Sequence, residues 1–268
     1  MVTLDSPLVS IIVNCFNGEK FLEDCLNSIL NQTYHNWEVI FWDNQSTDNS
    51  KKIFEKFDDK RFKYYLSPKH TFLYEARDLA IKVSNGDFIA FCDTDDYWSK
   101  EKLECLVPLF QDKNVGIVYS NLWILNNKNQ TKRIYVNKAL PKGNIDSIID
   151  IRTFITIPTV VIRKVAYFNL KIGFNKKYQI IGDHDFFVRI SRKYLFDCVQ
   201  EPLATYRLHQ DNFTKKNRNI EIDELEDWLQ DVKNFLSKEE IISVRELILY
   251  KKITVLLLKK KSLSAIIH

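Results

Sequence analysis

The sequence predicts an α/β fold: a doubly wound, mostly parallel sheet, a small additional sheet, and a helical C-terminal extension. Apolar, β-rich runs alternate with helical patterns through the first 125 residues, which is the signature of strands joined by crossover helices. The runs at 8–13, 37–42 and 88–92 are almost continuously apolar, as strands covered on both faces are. After Asn219 the composition turns acidic–apolar and then basic, in a helical pattern. The expected division is therefore 1–218 for the main domain and 219–268 for the extension.

Leu8 to Val13 opens as a strand. A helix from about Glu19 to Asn31 follows, with Phe21, Leu22, Cys25, Leu26, Ile29 and Leu30 on one face. Trp37 to Trp42 is the second strand, and Thr47-Asp48 can cap a helix running to about Phe57. Phe62 to Leu66 is the third strand, and Leu73 to Val83 the next helix. The turn pair Asn85-Gly86 leads into the strand at 88–92, followed by a helix from Ser99 to Phe110 and a strand from Val115 to Leu125. Asn126 to Gln130 then reads as a hairpin tip and Pro141-Lys142-Gly143 as a turn. Ile157 to Ile162 reads as a strand shortened by Pro158. A helix from about His184 to Tyr194 and a strand from Phe196 to Val199 complete the domain.

A chain of 268 residues with 45% apolar and 28% charged residues buries a full core. The net charge of +4 is too small to argue for nucleic acid. Five cysteines, odd in number and without CxxC spacing, suggest a reduced, cytoplasmic protein. The first residues lack the basic and apolar regions of a signal peptide, and no stretch approaches the ~20 apolar residues of a spanning helix.

Three strands finish in polar residues: the first in Asn14-Cys15-Phe16-Asn17, the second in Asp43-Asn44-Gln45-Ser46, the fourth in Asp93-Thr94-Asp95-Asp96. In an open α/β sheet, ligands bind beyond such carboxyl ends. Three carboxylates beside apolar surface repel one another and stay ionised only with water or a cation in compensation. Alternation puts Asp93 and Asp95 on one side of an extended chain, roughly 6.5–7 Å apart. One can then grip a ligand hydroxyl while the other reaches a metal.

Neither GxGxxG after the first strand nor GxxxxGK[ST] anywhere supplies a phosphate cradle. A diphosphate would instead need Mg²⁺ or Mn²⁺ on the carboxylates, since oxygen ligands suit those ions. An EF-hand register over 93–104 fails because Trp98 stands at the glycine position. A phosphatase with a nucleophilic Asp93 is a weaker alternative, as that motif normally lies on a first strand. Asp183 can be read as the N-cap of its helix, with Asp185 pairing Arg189 at i,i+4.

Taken together, six segments in order resemble glycosyltransferase family 2 over roughly residues 7–213. They are Val9 to Leu22, Asp43 to Asp48, Ala76-Arg77-Asp78, Phe91 to Trp98, Gly182 to Arg189, and Tyr206-Arg207-Leu208-His209. The resemblance implies a GT-A fold and inverting transfer of a sugar, from a nucleotide-diphosphate donor such as a UDP-sugar, to a glycan or lipid-linked glycan acceptor. It implies that Asn14, Phe16, Asp43, Arg77 and Asp93 bind the nucleotide, and that Asp96 lies near the donor sugar; Trp98 reads either as a packing residue at the helix start or as a stacking platform at that sugar. Asp95 and His209 would hold Mn²⁺ or Mg²⁺, and Asp183 would deprotonate the acceptor. The chain departs from the family pattern at Gly182, where an acid is usual, at Asn44 and Gln45 for Asp and Gly, and at Asp78 for Asn. A non-catalytic sugar-nucleotide-binding or scaffold protein of the same fold is the alternative from another class.

From Leu247 the chain carries Lys251, Lys252, Lys259, Lys260 and Lys261 and no acid, around the apolar Ile253 to Leu258. This segment suits the cytoplasmic surface of an anionic membrane, or docking on the domain or in a homodimer. Lys251 interrupts the apolar arc of the helical wheel.

Overall fold

The computed structural model describes residues 6–146 and 154–264, the last six as backbone. Strands β1 (Val9–Cys15), β2 (Trp37–Asp43), β3 (Phe62–Leu66) and β4 (Phe88–Phe91) pair in parallel, β1 lying between β2 and β4. Three further strands are longer-range in origin: β6 (Val115–Asn126), β8 (Val160–Arg163) and β9 (Leu195–Leu208). Two short ones, β5 (Tyr97–Trp98) and β7 (Thr131–Ile134), complete the set. Among the described residues these form one sheet in the order β3-β2-β1-β4-β8-β6-β9-β5, with β7 paired to β6. β8 runs antiparallel to both β4 and β6, whereas β9 runs parallel to β6. The sheet is thus mixed, and its second half joins the first through one antiparallel strand rather than standing apart.

Alternation explains why the first strands are apolar throughout. Val9, Ile11 and Val13 of β1, Val39 and Phe41 of β2, and Phe88 and Ala90 of β4 enter one buried cluster. Their neighbours Ile12, Ile40, Trp42, Ile89 and Phe91 enter another. Successive side chains point to opposite faces, so both faces are covered, and each such aliphatic side chain contributes about 1.5–3 kcal/mol by leaving water.

Helices α1 (Leu22–Leu30), α2 (Ser50–Phe54) and α3 (Leu73–Lys82) are the crossovers of the parallel half. The Asp48 side chain accepts the Ser50 N–H at 2.9 Å and starts α2, which ends well short of Phe57. The expected helix 99–110 divides into α4 (Lys102–Leu106) and a 3-10 turn, Val107–Gln111, with Pro108 at its start. The expected strand 157–162 is in part a 3-10 turn, Ile157–Thr159, because Pro158 fits a first turn and cannot donate to a ladder. Short α5 (Lys164–Phe168) and α6 (Gly182–Ser191) follow, then α7 (Phe213–Lys216), α8 (Arg218–Val232) and α9 (Lys238–Ser264). Ile222, Leu225, Trp228 and Leu229 of α8 are buried in the same cluster as Ile89 and Phe186. All five cysteines are free. No helix among the described residues is long and apolar enough to cross a membrane.

Candidate functional site

The parallel strands bring their carboxyl ends to one edge, where Cys15 is in register with Asp43 and Asp43 with Leu66. Asn14 is half-buried at the end of β1, and its Nδ2 has no hydrogen-bond partner. Phe16, just beyond, is 52% exposed and lies 4.3 Å from the His70 ring, centroid to centroid. Asp43 is buried; it accepts the Ser46 N–H at 2.7 Å and the Tyr64 hydroxyl at 2.6 Å. Burial, and then this carboxylate, push the Tyr64 phenol far above its ordinary range, so it stays a donor. Asn44 clamps the neighbouring loop: its Nδ2 donates to the Thr71 carbonyl at 2.7 Å and its Oδ1 accepts the Thr71 N–H at 3.1 Å. Gln45 sits at φ 72° and donates to the Ser67 carbonyl. Asn44 and Gln45, which depart from the family pattern, therefore fix the Ser67–Thr71 loop beside Phe16.

The acidic segment after β4 divides its charges among separate partners. Asp93 pairs with Arg77 of α3 at 2.6 Å. Arg77 is buried, which would lower its pKa, but the charge of Asp93 beside it, with Tyr74 and Asp183, holds it above the ordinary value. The Asp95 carboxylate meets His209 Nε2 at 2.9 Å and accepts from Asn212 Nδ2 at 3.2 Å. Asn212 in turn accepts the His209 N–H at 2.7 Å. Asp96 is fully buried. One oxygen accepts the Arg207 N–H at 3.0 Å and the other has no partner. Burial, with Asp95 and Asp93 nearby, pushes this carboxyl well above the carboxylate range.

Arg207 closes the arrangement. Its Nε donates to the Asp95 carbonyl at 3.1 Å, and its Nη2 reaches Asp24 of α1 at 2.8 Å. Its guanidinium also covers the Phe21 ring at 4.5 Å. A cavity of ≈ 440 Å³ opens beside His209, lined by Lys20, Lys128, Leu208 and Lys215 among others.

Trp98 does not reach this surface. It is 4% exposed in the apolar layer, with Lys102 Nζ 4.1 Å from its ring centroid. Burial brings the Lys102 ammonium down to about 7.

Asp183 lies in the first turn of α6, half-buried between buried neighbours, and accepts the His184 N–H at 2.8 Å. Two contacts fix its approach. The Tyr74 hydroxyl donates to the Ile180 carbonyl at 2.9 Å. The Glu224 carboxylate of α8 accepts three consecutive N–H groups, of Gln179 at 2.6 Å, Ile180 at 2.9 Å and Ile181 at 3.1 Å. Asp185 bonds Arg189, as the i,i+4 spacing suggests, and accepts the Trp228 indole N–H at 3.1 Å. Gly182 has its own reason: a Cβ there would fall 2.5 Å from the Tyr74 ring.

The structure thus brings together Arg77 with Asp93, Asp95 with His209, and Asp43 with the end of β1, and places Asp183 within the field of Arg77. Asn212, Glu224 and Tyr74 were not legible as site residues. Arg207 stands within a recognised segment, but nothing in its spacing announced its bonds to Asp24 and Asp95. Among the described residues no group of three or more His, Cys, Asp or Glu could hold a metal alone. Asp95 and His209 supply one oxygen and one nitrogen. That suits a cation whose remaining positions are filled by a diphosphate and water, as Mg²⁺-type sites often are.

A family model described as glycosyl transferase family 2 matches residues 10–197. The chain is 36% identical over 148 residues to the UDP-Glc:alpha-D-GlcNAc-diphosphoundecaprenol beta-1,3-glucosyltransferase WfgD of Escherichia coli, covering 53% of this chain and 58% of that protein. It is 32% identical over 117 residues to the putative teichuronic acid biosynthesis glycosyltransferase TuaG of Bacillus subtilis, covering 42% and 46%. The matches span about half the length of these relatives. Among solved structures it is similar to S. aureus TarS 1-349 in complex with UDP-GlcNAc, with TM-score 0.64, 18% identity, and coverage of 92% and 72%. It is also similar to the Pyrobaculum calidifontis mannosyltransferase PcManGT in complex with GDP-Man and Mn²⁺, with TM-score 0.67, 14% identity, and coverage of 90% and 70%. These likenesses show a GT-A-type α/β fold with a helical C-terminal region. With a family match over most of its length and the fold to accompany it, the chain belongs to glycosyl transferase family 2.

Proposed function

We propose that this chain transfers a sugar, with inversion, from a UDP-sugar to a hydroxyl of a lipid-linked glycan at the cytoplasmic face of a membrane. One observation carries the reading: the segment after β4 gives Asp93 to Arg77 and Asp95 to His209, so two carboxylates two positions apart have separate partners. The donor and acceptor classes follow the WfgD name, and the TarS complex holds a UDP-sugar.

Asn14, Phe16 and Asp43 form the base pocket, where Phe16 offers an exposed ring face and Asp43 is held rigid by Tyr64 and Ser46. Asp93, oriented by Arg77, takes the ribose. Asp95 and His209 would hold Mn²⁺ or Mg²⁺, which would supply positive charge to the departing diphosphate. Asp183 takes the proton of the acceptor hydroxyl through a carboxylate oxygen as that hydroxyl attacks the anomeric carbon opposite the diphosphate. Asp96 and Trp98, both enclosed, support the site from behind instead of touching the sugar.

Turnover of UDP-sugars on a GlcNAc-diphosphate lipid, with wild type and Asp183→Asn, tests the proposal. Loss of transfer with UDP binding retained is expected. Unchanged turnover removes Asp183 as base. Binding without any turnover by the wild type, across a donor and acceptor panel, favours the scaffold alternative. Phosphate release from simple monoesters, lost in Asp93→Asn, favours the phosphatase.

A further inference from the structure

Helix α9 is apolar on two opposite faces, and among the described residues the domain covers one of them. Val244 and Ile248 are buried in the main cluster, and Leu247 and Val255 pack against it. Lys251 lies on this docked side, its Nζ 3.0 Å from Glu221, a residue buried in α8. Lys251 therefore does not interrupt the outward face, contrary to the expectation from the helical wheel. At 3.6 residues per turn, Leu249, Tyr250, Ile253, Leu256 and Leu257 fall within one arc turned away from Val244 and Ile248. All five are between 48% and 68% exposed.

Past this stripe's first turn the helix carries charge of one sign, although Glu246 stands on the same arc one turn earlier. From Leu247 to the last residue the chain has five lysines and no acid. Lys252, beside the stripe, bonds Glu226 at 2.6 Å. Lys259, Lys260 and Lys261 follow in sequence, and their side chains lie outside the described residues. We propose that this face lies in the surface of an anionic lipid bilayer, with the helix parallel to the membrane plane. An exposed apolar arc followed in sequence by a run of three lysines suits that position, since such an arc enters the acyl boundary while lysines favour anionic headgroups. A second copy is the competing occupant. Parallel pairing would bring two lysine runs together, which repel.

Co-sedimentation of the full chain with vesicles tests this without donor or acceptor, so its outcome is independent of the transfer reaction. The vesicles are phosphatidylcholine alone or an equal mixture with phosphatidylglycerol. The proposal expects binding to the mixed vesicles alone, and at least a roughly tenfold loss in Ile253→Asp/Leu256→Asp, whose sites are exposed. Circular dichroism and light scattering of the variant should match the wild-type monomer. No binding to the mixed vesicles overturns the proposal. Binding undiminished in the variant overturns the choice of face. A wild-type dimer that the variant dissociates, without vesicle binding, assigns the face to a second copy instead.

Discussion

Tyr74 packs against Gly182 so closely that a side chain at position 182 would enter its ring. The family's usual acid at that position is excluded here by an aromatic side chain from α3, which also bonds the Ile180 carbonyl. Gly182→Ala is therefore expected to cost about 1–3 kcal/mol through overpacking, measured by denaturant unfolding. Tyr74→Ala in the same chain should make the two substitutions strongly non-additive. A fully stable Gly182→Ala protein would contradict this account.

Glu224 acts at a distance from the chemistry. Its carboxylate gathers three N–H groups immediately before α6 and so sets where Asp183 begins. We expect Glu224→Ala to lower kcat tenfold or more with little change in KM for the donor, because misplacing a catalytic group costs rate before binding. Glu224→Gln, which keeps one acceptor oxygen, should recover part of it. A loss confined to KM would argue against a positioning role.

Asn212 touches both proposed metal ligands, donating to Asp95 and accepting from the His209 backbone. Partners of this kind tune affinity, so Asn212→Ala should weaken Mn²⁺ binding by about 10–100-fold, read from the metal dependence of turnover and of thermal stability. Chelation should abolish transfer in the wild type, with restoration by Mn²⁺ or Mg²⁺. Transfer at full rate in chelator would remove Asp95 and His209 from that role.

Glu38 should govern acid stability without touching activity. It sits at the opposite edge of the sheet, bonded by Ser10, Lys63 and Asn85. Burial raises its pKa, but those bonds outweigh burial and bring it from 4.5 to about 2. A depressed carboxyl stabilises the fold fully above its unfolded value. That contribution, about 3 kcal/mol, is lost as pH falls from about 4.5 to about 2. Unfolding of Glu38→Gln across this window should show a correspondingly shallower pH dependence. An unchanged slope would show that Glu38 is not the group responsible.

Much of the parallel half was legible because β1, β2 and β4 are short, mostly apolar on both faces and followed by local polar turns, while β3 is a short aromatic run bounded by turns. Phe62–Leu66 falls on the expected residues, and Trp37–Asp43 differs by one. The strand expected at 196–199 is the start of β9, which runs on to Leu208 past Pro202. The sheet absorbs it at an irregularity in the β6–β9 register, where Asn121 faces Pro202. The same logic separates the site residues. Asn14, Asp43, Asp93 and Asp95 stand at strand ends, where position alone suggests a role. Glu224 and Asn212 act largely through backbone groups and distant side chains, so no pattern of residue types marks them.

The bond from Arg207 to Asp24 spans 183 positions, and that from His209 to Asp95 spans 114. During synthesis the nucleotide end of the sheet can form well before the segment that completes it has left the ribosome. The residues proposed for the base pocket are thus synthesised before His209 and Glu224. Under the proposed roles, order of translation would separate the groups that give affinity from those that give reactivity.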